Sequence, residues 1–95
     1  MFKVELARSF EKDFKKISKE VQSEVFNKWI PLLKENPEIG KRFVGKNLQK
    51  FIKLAFRFKR NDYRIVYQVY KTKVVIVLLA IGNRENFYKK LRRRT

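Results

Sequence analysis

Apolar and polar positions in the first third of the chain switch from a period of two to a helical period. Residues 2–6 (Phe-Lys-Val-Glu-Leu) alternate, as a short half-buried strand does. Ala7, Phe10, Phe14 and Ile17 then recur at spacings of three and four, one face of a helix. Ser18 is placed to cap a second helix, with Glu20 in its first turn. The buried stripe of that helix is expected to be Val21, Val25, Trp29, Leu32 and Leu33. Pro31 falls inside the stripe and should kink or split the helix, and Asn36-Pro37 ends it. The spacing assigns Trp29 to the core rather than to stacking on a base. With almost no loop between them, the two helices form a helical hairpin.

Residues 37–48 form a connection containing Gly40 and Gly45, with Phe43 and Leu48 turned inward. Three strand candidates follow, at about 50–59, 63–70 and 74–81. Their links, Arg60-Asn61-Asp62 and Lys71-Thr72-Lys73, are short enough only for hairpins, so the strands should make an antiparallel meander. Val74–Ile81 is almost continuously apolar, as a strand near the middle of a sheet is. Gly82 breaks it, and Glu85–Arg94 reads as a short basic terminal helix. The expected fold class is α+β: one domain over residues 1–95, with an N-terminal strand, a helical hairpin, a three-stranded antiparallel meander and a short C-terminal helix, helices against one sheet face.

Charge changes the picture more than overall composition does. The chain has 95 residues, 44% hydrophobic and 15% aromatic, enough for one modest core. Its 25 Lys and Arg against 9 Asp and Glu give a net charge of +16. Residues 1–45 hold 10 basic and 7 acidic side chains, a net of +3, whereas residues 46–95 hold 15 and 2, a net of +13. Such an uneven distribution is the electrostatic footprint of a surface for a polyanion. No apolar stretch is long enough for a membrane span or a signal peptide, and there is no cysteine, so a cytoplasmic protein without membrane contact is expected.

Alternation places Ile52, Leu54, Phe56 and Phe58 on one face of the first meander strand and Lys53, Arg57 and Lys59 on the other. In the next strand Arg64, Val66 and Gln68 share a face opposite Tyr63, Ile65, Tyr67 and Val69. If the basic face meets solvent, the hairpin displays Lys53, Arg57, Lys59 and Arg64 together, with Arg60 beside them, as RNA-binding or catalytic candidates. On alternation alone, a merely solvated sheet face fits equally well. What is missing narrows the chemistry. There is no histidine, no P-loop, dinucleotide fingerprint or zinc pattern, and only Asp62 and Glu85 are acidic in the second half. Two-metal phosphodiester cleavage is thereby disfavoured, and no metal or cofactor is expected. Metal-free chemistry run by Lys, Arg and Tyr remains. RNA carries its own nucleophile, the 2′-OH, so transesterification needs a base, cations at the phosphate and a proton donor for the leaving oxygen. Positive neighbours lower a lysine's affinity for its proton, which makes Lys53 or Lys59 the candidate base.

The stretch Asp62-Tyr-Arg-Ile-Val-Tyr-Gln-Val69, the apolar strand after it, and Ile81-Gly-Asn-Arg-Glu-Asn-Phe-Tyr88 resemble the RelE/ParE toxin superfamily over essentially the whole chain. The Gly-x-Arg-Glu ending with a tyrosine soon after is similar to RelE-type mRNA interferases of type II toxin–antitoxin systems. This resemblance implies an endoribonuclease that cleaves mRNA on the ribosome, with Arg64, Arg84 and Arg57 as catalytic cations and Tyr88 stacking on a base. It also implies a cognate RelB-like antitoxin whose acidic segment covers the basic face. Lys53, Lys59, Arg60 and Lys89 complete the expected RNA-binding set. A second basic position of the family falls, by counting back from Arg64, on Ala55, where the chain departs from the pattern. The alternatives are a ParE-like toxin that poisons gyrase without nuclease activity, and a plain RNA-binding module.

Overall fold

A computed structural model of the chain describes residues 1–45 and 50–83. Leu48 and the expected terminal helix at 85–94 lie outside the described residues. The elements are β1 (Lys3–Leu6), α1 (Arg8–Phe14), α2 (Lys19–Glu24), a π-helical turn (Val25–Trp29), α3 (Ile30–Glu35), a 3₁₀ turn (Pro37–Ile39), β2 (Lys41–Arg42), β3 (Ile52–Phe58), β4 (Asn61–Tyr70) and β5 (Val75–Asn83). One five-stranded sheet runs in the order β1-β5-β4-β3-β2, with β1 parallel to β5 and the other pairings antiparallel.

The helices cover one face of this sheet. Phe10 of α1, Val21 of α2 and Leu33 of α3 pack against Ile52, Leu54 and Phe56 of β3, Ile65 and Tyr67 of β4, and Ile76 and Leu78 of β5. The Ser18 side chain caps α2 as its position predicts, accepting the Val21 N–H at 3.3 Å. Pro31 neither splits nor ends the helix. It has no N–H to give to the carbonyl four residues back, and the π turn just before it widens the ladder, with the Ile30 N–H bonded to Val25 O. The extra residue rotates everything after it. The buried stripe therefore runs Val21, Val25, Ile30, Leu33, while Leu32, expected inside, is 43% exposed. Trp29 is half-buried and stacks on Phe56 with ring centroids 5.1 Å apart, as a core residue, although its buried Nε1–H has no hydrogen-bond partner among the described residues.

A bulge in β5 decides which of its side chains face the helices. Val66 pairs with Ala80 and Tyr67 with Leu78, so Leu79 is an extra residue. Ile76, Leu78 and Ile81 enter the helix-side core, and Ala80 joins Phe43, Phe51 and Val66 in a smaller cluster on the opposite face. Two side chains of α1 hold the bulge: the Ser9 hydroxyl donates to Leu79 O at 2.6 Å, and the buried Asp13 carboxylate accepts the Ile81 N–H at 3.2 Å.

Candidate functional site

The face of the sheet away from the helices carries the cationic side chains, and the pairing register arranges them. Tyr63 turns toward the helices and stacks on Phe56 with centroids 5.6 Å apart. Alternation then sends Arg64 to the open face. Directly across from Arg64 on β3 is Ala55. Two pairs toward the hairpin tip, on the same face, Arg57 is opposite Asp62, and two pairs the other way Lys53 is opposite Val66. Beyond Lys53 the sheet gains Lys41, its partner on β2.

A methyl group at the centre of this arrangement leaves space that a longer side chain would fill. Two adjoining hollows share Ala55 and Arg64. One, about 340 Å³, is also lined by Phe56, Arg57 and Asp62. The other, about 390 Å³, extends over Ile39, Gly40, Lys41, Lys53 and Leu54. Hydrogen bonds pin the segment that walls the second hollow. The Tyr67 hydroxyl, fully buried, donates to Pro37 O at 2.8 Å and accepts the Gly40 N–H at 3.1 Å. Burial disfavours the phenolate and pushes this hydroxyl up to about 12. Gly40 approaches so closely that a Cβ there would lie 2.5 Å from that hydroxyl and 2.6 Å from Lys53 O. The 3₁₀ turn is thus fixed to β3 and β4, and Lys41 is brought beside Lys53. Lys53 Nζ also lies 5.4 Å from the centre of the Phe43 ring, a cation–π contact that keeps it on the open face.

The expected cluster needs one correction. Lys53, Arg57 and Arg64 do share a face, but Lys59 does not join them. The hairpin turn consists of Lys59 and Arg60 rather than Arg60-Asn61-Asp62, because Phe58 pairs with Asn61. Both turn residues have positive φ, 48° and 75°, the backbone of a two-residue type I′ turn. The turn ends the strand's alternation, and the Lys59 ammonium forms an ion pair and hydrogen bond with Glu20 of α2, on the helix layer. Arg60 is exposed at the tip. Of the two lysines put forward for proton transfer, Lys53 alone lines the hollows. Arg84, Tyr88 and Lys89 lie outside the described residues.

Two charged lining residues were not anticipated as site residues. Lys41 belongs to a two-residue strand that no periodicity signals. Asp62 was legible as an isolated acid in a basic segment, and its position against Arg57 depends on a register set by the turn. Among the described residues no group of three or more Asp and Glu side chains is placed to hold a metal ion. No described helix is long and apolar enough to cross a membrane.

A family model described as the ParE-like toxin of type II bacterial toxin–antitoxin systems matches residues 4–92. The chain belongs to this family. Solved structures with the same fold include the RelBE toxin–antitoxin complex of E. coli, at 24% identity over 90% of this chain and 99% of that one, with a TM-score of 0.71. The RelBE2 complex of Mycobacterium tuberculosis superposes with a TM-score of 0.75 at 19% identity, over 87% and 98% of the two chains. The archaeal RelE–RelB complex of Pyrococcus horikoshii OT3 gives 0.62 at 20% identity, over 88% and 96%. No curated protein matches the chain. At these identities the structural likeness establishes the fold, and the family model places the chain among toxins.

Proposed function

We propose that this toxin is a metal-free endoribonuclease that cleaves mRNA, on the ribosome, by attack of the 2′-OH on the adjacent phosphate. The observation that carries the proposal is the hollow over Ala55, with Arg64 across from it and Lys53 and Arg57 on either side. Three cations around one recess suit a phosphate that gains negative charge during the reaction. Arg64 and Arg57 grip phosphate oxygens with planar, permanently charged guanidinium groups, and Lys53 serves proton transfer. Arg84 and Tyr88 complete the site in the roles that the family resemblance gives them, and Lys41, Arg60 and Lys89 extend the RNA-binding surface. The cationic face is also where an antitoxin of RelB type would lay an acidic segment, as the assembly of the related toxins with antitoxins suggests.

The test is a translation-coupled mRNA cleavage assay with the parent protein and Arg64→Ala. One preorganised contact to developing charge is worth roughly 100- to 1,000-fold in rate, so Arg64→Ala should lose about that much cleavage while keeping most of its RNA affinity. RNA affinity should also fall with salt at a log–log slope of about −0.7 per phosphate contacted. A parent protein that leaves mRNA intact while still arresting growth would overturn the nuclease proposal in favour of a toxin that acts by binding its target.

A further inference from the structure

We infer that Asp62 is the base that removes the 2′-OH proton and that Lys53 is the acid that protonates the leaving oxygen, an assignment that rests on the ribonuclease function proposed above. The starting point is the hollow over Ala55. Of its two lobes, one is lined by Asp62 and the other by Lys53. Among the described residues no other carboxylate lines either lobe. Asp62 lies directly across from Arg57, yet its carboxylate forms no ion pair or hydrogen bond among the described residues. A carboxylate set between two guanidinium-bearing residues and leaning on neither remains available to accept a proton.

Position supports the same division of labour. In-line displacement needs the base and the acid on opposite sides of the phosphorus. The Arg57–Asp62 pair and the Lys53–Val66 pair flank the Ala55–Arg64 pair, one on each side. Each step of two residues along a strand covers roughly 6.7 Å. The Cα atoms of Asp62 and Lys53 are therefore about 14 Å apart on the diagonal, with a short acid at one end and a long flexible amine at the other. A phosphate held over Ala55 by Arg64 would lie between them. The 2′-oxygen then forms its bond to phosphorus as its proton passes to an Asp62 carboxylate oxygen. The bond from phosphorus to the 5′-oxygen breaks as Lys53 Nζ gives that oxygen a proton. The products are a 2′,3′-cyclic phosphate and a 5′-hydroxyl end, and exchange of one proton each with water restores both side chains. The missing side chain at position 55 is what opens the path between the two.

Charge and catalysis make opposite demands on one substitution, which gives a clean test. Asp62→Asn removes a negative charge from a cationic surface, so RNA affinity should hold or tighten. Loss of a general base should meanwhile slow single-turnover cleavage by about 100- to 10,000-fold. Asp62→Glu keeps the carboxylate on a longer arm and should recover part of that loss, with thermal melting showing all three proteins folded. Cleavage by Asp62→Asn within about threefold of an active parent would overturn the assignment. So would a parallel loss of binding and cleavage, which would make Asp62 structural. A parent that does not cleave at all overturns the ribonuclease function and this assignment together, and is told apart from the other outcomes by the parent's own rate.

Discussion

The β3–β4 turn stores strain that two substitutions should release. Lys59 and Arg60 sit at φ 48° and 75°, where side chains with a Cβ are disfavoured by roughly 1–2 kcal/mol per residue. Asn-Gly is the pair that a type I′ turn favours. In the double variant Lys59→Asn/Arg60→Gly, glycine removes the strain at position 60 but gives back about 0.5–1 kcal/mol in backbone entropy. Asparagine tolerates the left-handed region and removes part of the strain at position 59. The pair between Lys59 and Glu20 is lost, but both side chains are more than half exposed, so it contributes about 0–1 kcal/mol. The net expectation is a gain of about 1 kcal/mol, which for a domain of this size raises the melting temperature by roughly 4–8 °C. Urea denaturation should move the midpoint upward with an unchanged slope. RNA binding should weaken at the same time. Because Lys59 is engaged by Glu20 and Arg60 is not, the salt dependence should flatten by one phosphate contact, about 0.7 in the log–log slope, rather than two. A melting temperature that stays the same or falls would refute the strain account, and a loss of two contacts would mean that Lys59 leaves Glu20 to meet RNA.

Tyr67→Phe should cost about 2–3 kcal/mol, since it leaves the Gly40 N–H and Pro37 carbonyl without their partner. The folded hydroxyl ionises near 12 against an ordinary value of 10, so the unfolded chain gives up its proton first and the Tyr67 contribution declines between pH 10 and 12. Denaturation of parent and variant across that range should show the gap between them closing, and a gap constant with pH would count against the buried phenol. Ala55→Leu should leave stability unchanged or slightly raised, because position 55 is exposed and leucine suits a strand better than alanine. It should also cut mRNA cleavage by at least tenfold by filling the hollow, and full activity would show that RNA does not enter there.

Element order and facing were legible because two periods, 2 and 3.6, dominate this chain. The meander, the helical pair and the mixed-charge outer surface of the helices all follow from them. Three features were hidden because each depends on what lies across from a residue rather than beside it in sequence. The π turn brings Ile30 into the stripe beside Leu33 and turns Leu32 out, and nothing local to Val25–Trp29 announces it except Pro31 two residues on. The parallel pairing of β1 with β5 joins residues some 70 positions apart. The burial of Asp13, flanked by apolar Phe10 and Phe14, follows from a bulge in β5 whose backbone N–H it satisfies.

The site was legible to the extent that alternation holds, and it was misjudged where alternation stops. Lys53, Arg57 and Arg64 lie inside regular strands, and counting by twos finds their face. Lys59 is one residue past the last regular position. A type I′ turn begins there and carries the side chain to the helix layer, where Glu20 is waiting. The same turn sets which residues of β3 and β4 are opposite. A hairpin loop two residues long puts Ala55 against Arg64, and Asp62 against Arg57. A loop at Arg60-Asn61-Asp62 would instead set Ala55 against Tyr67, and Asp62 would lie in the exposed loop. The role inferred for Asp62 therefore depends on the geometry of Lys59 and Arg60 as much as on its own carboxylate. Any two-residue type I′ turn would hold that register, so what this pair adds over Asn-Gly is charge: Arg60 exposed at the hairpin tip and Lys59 tied to Glu20 on the helix layer.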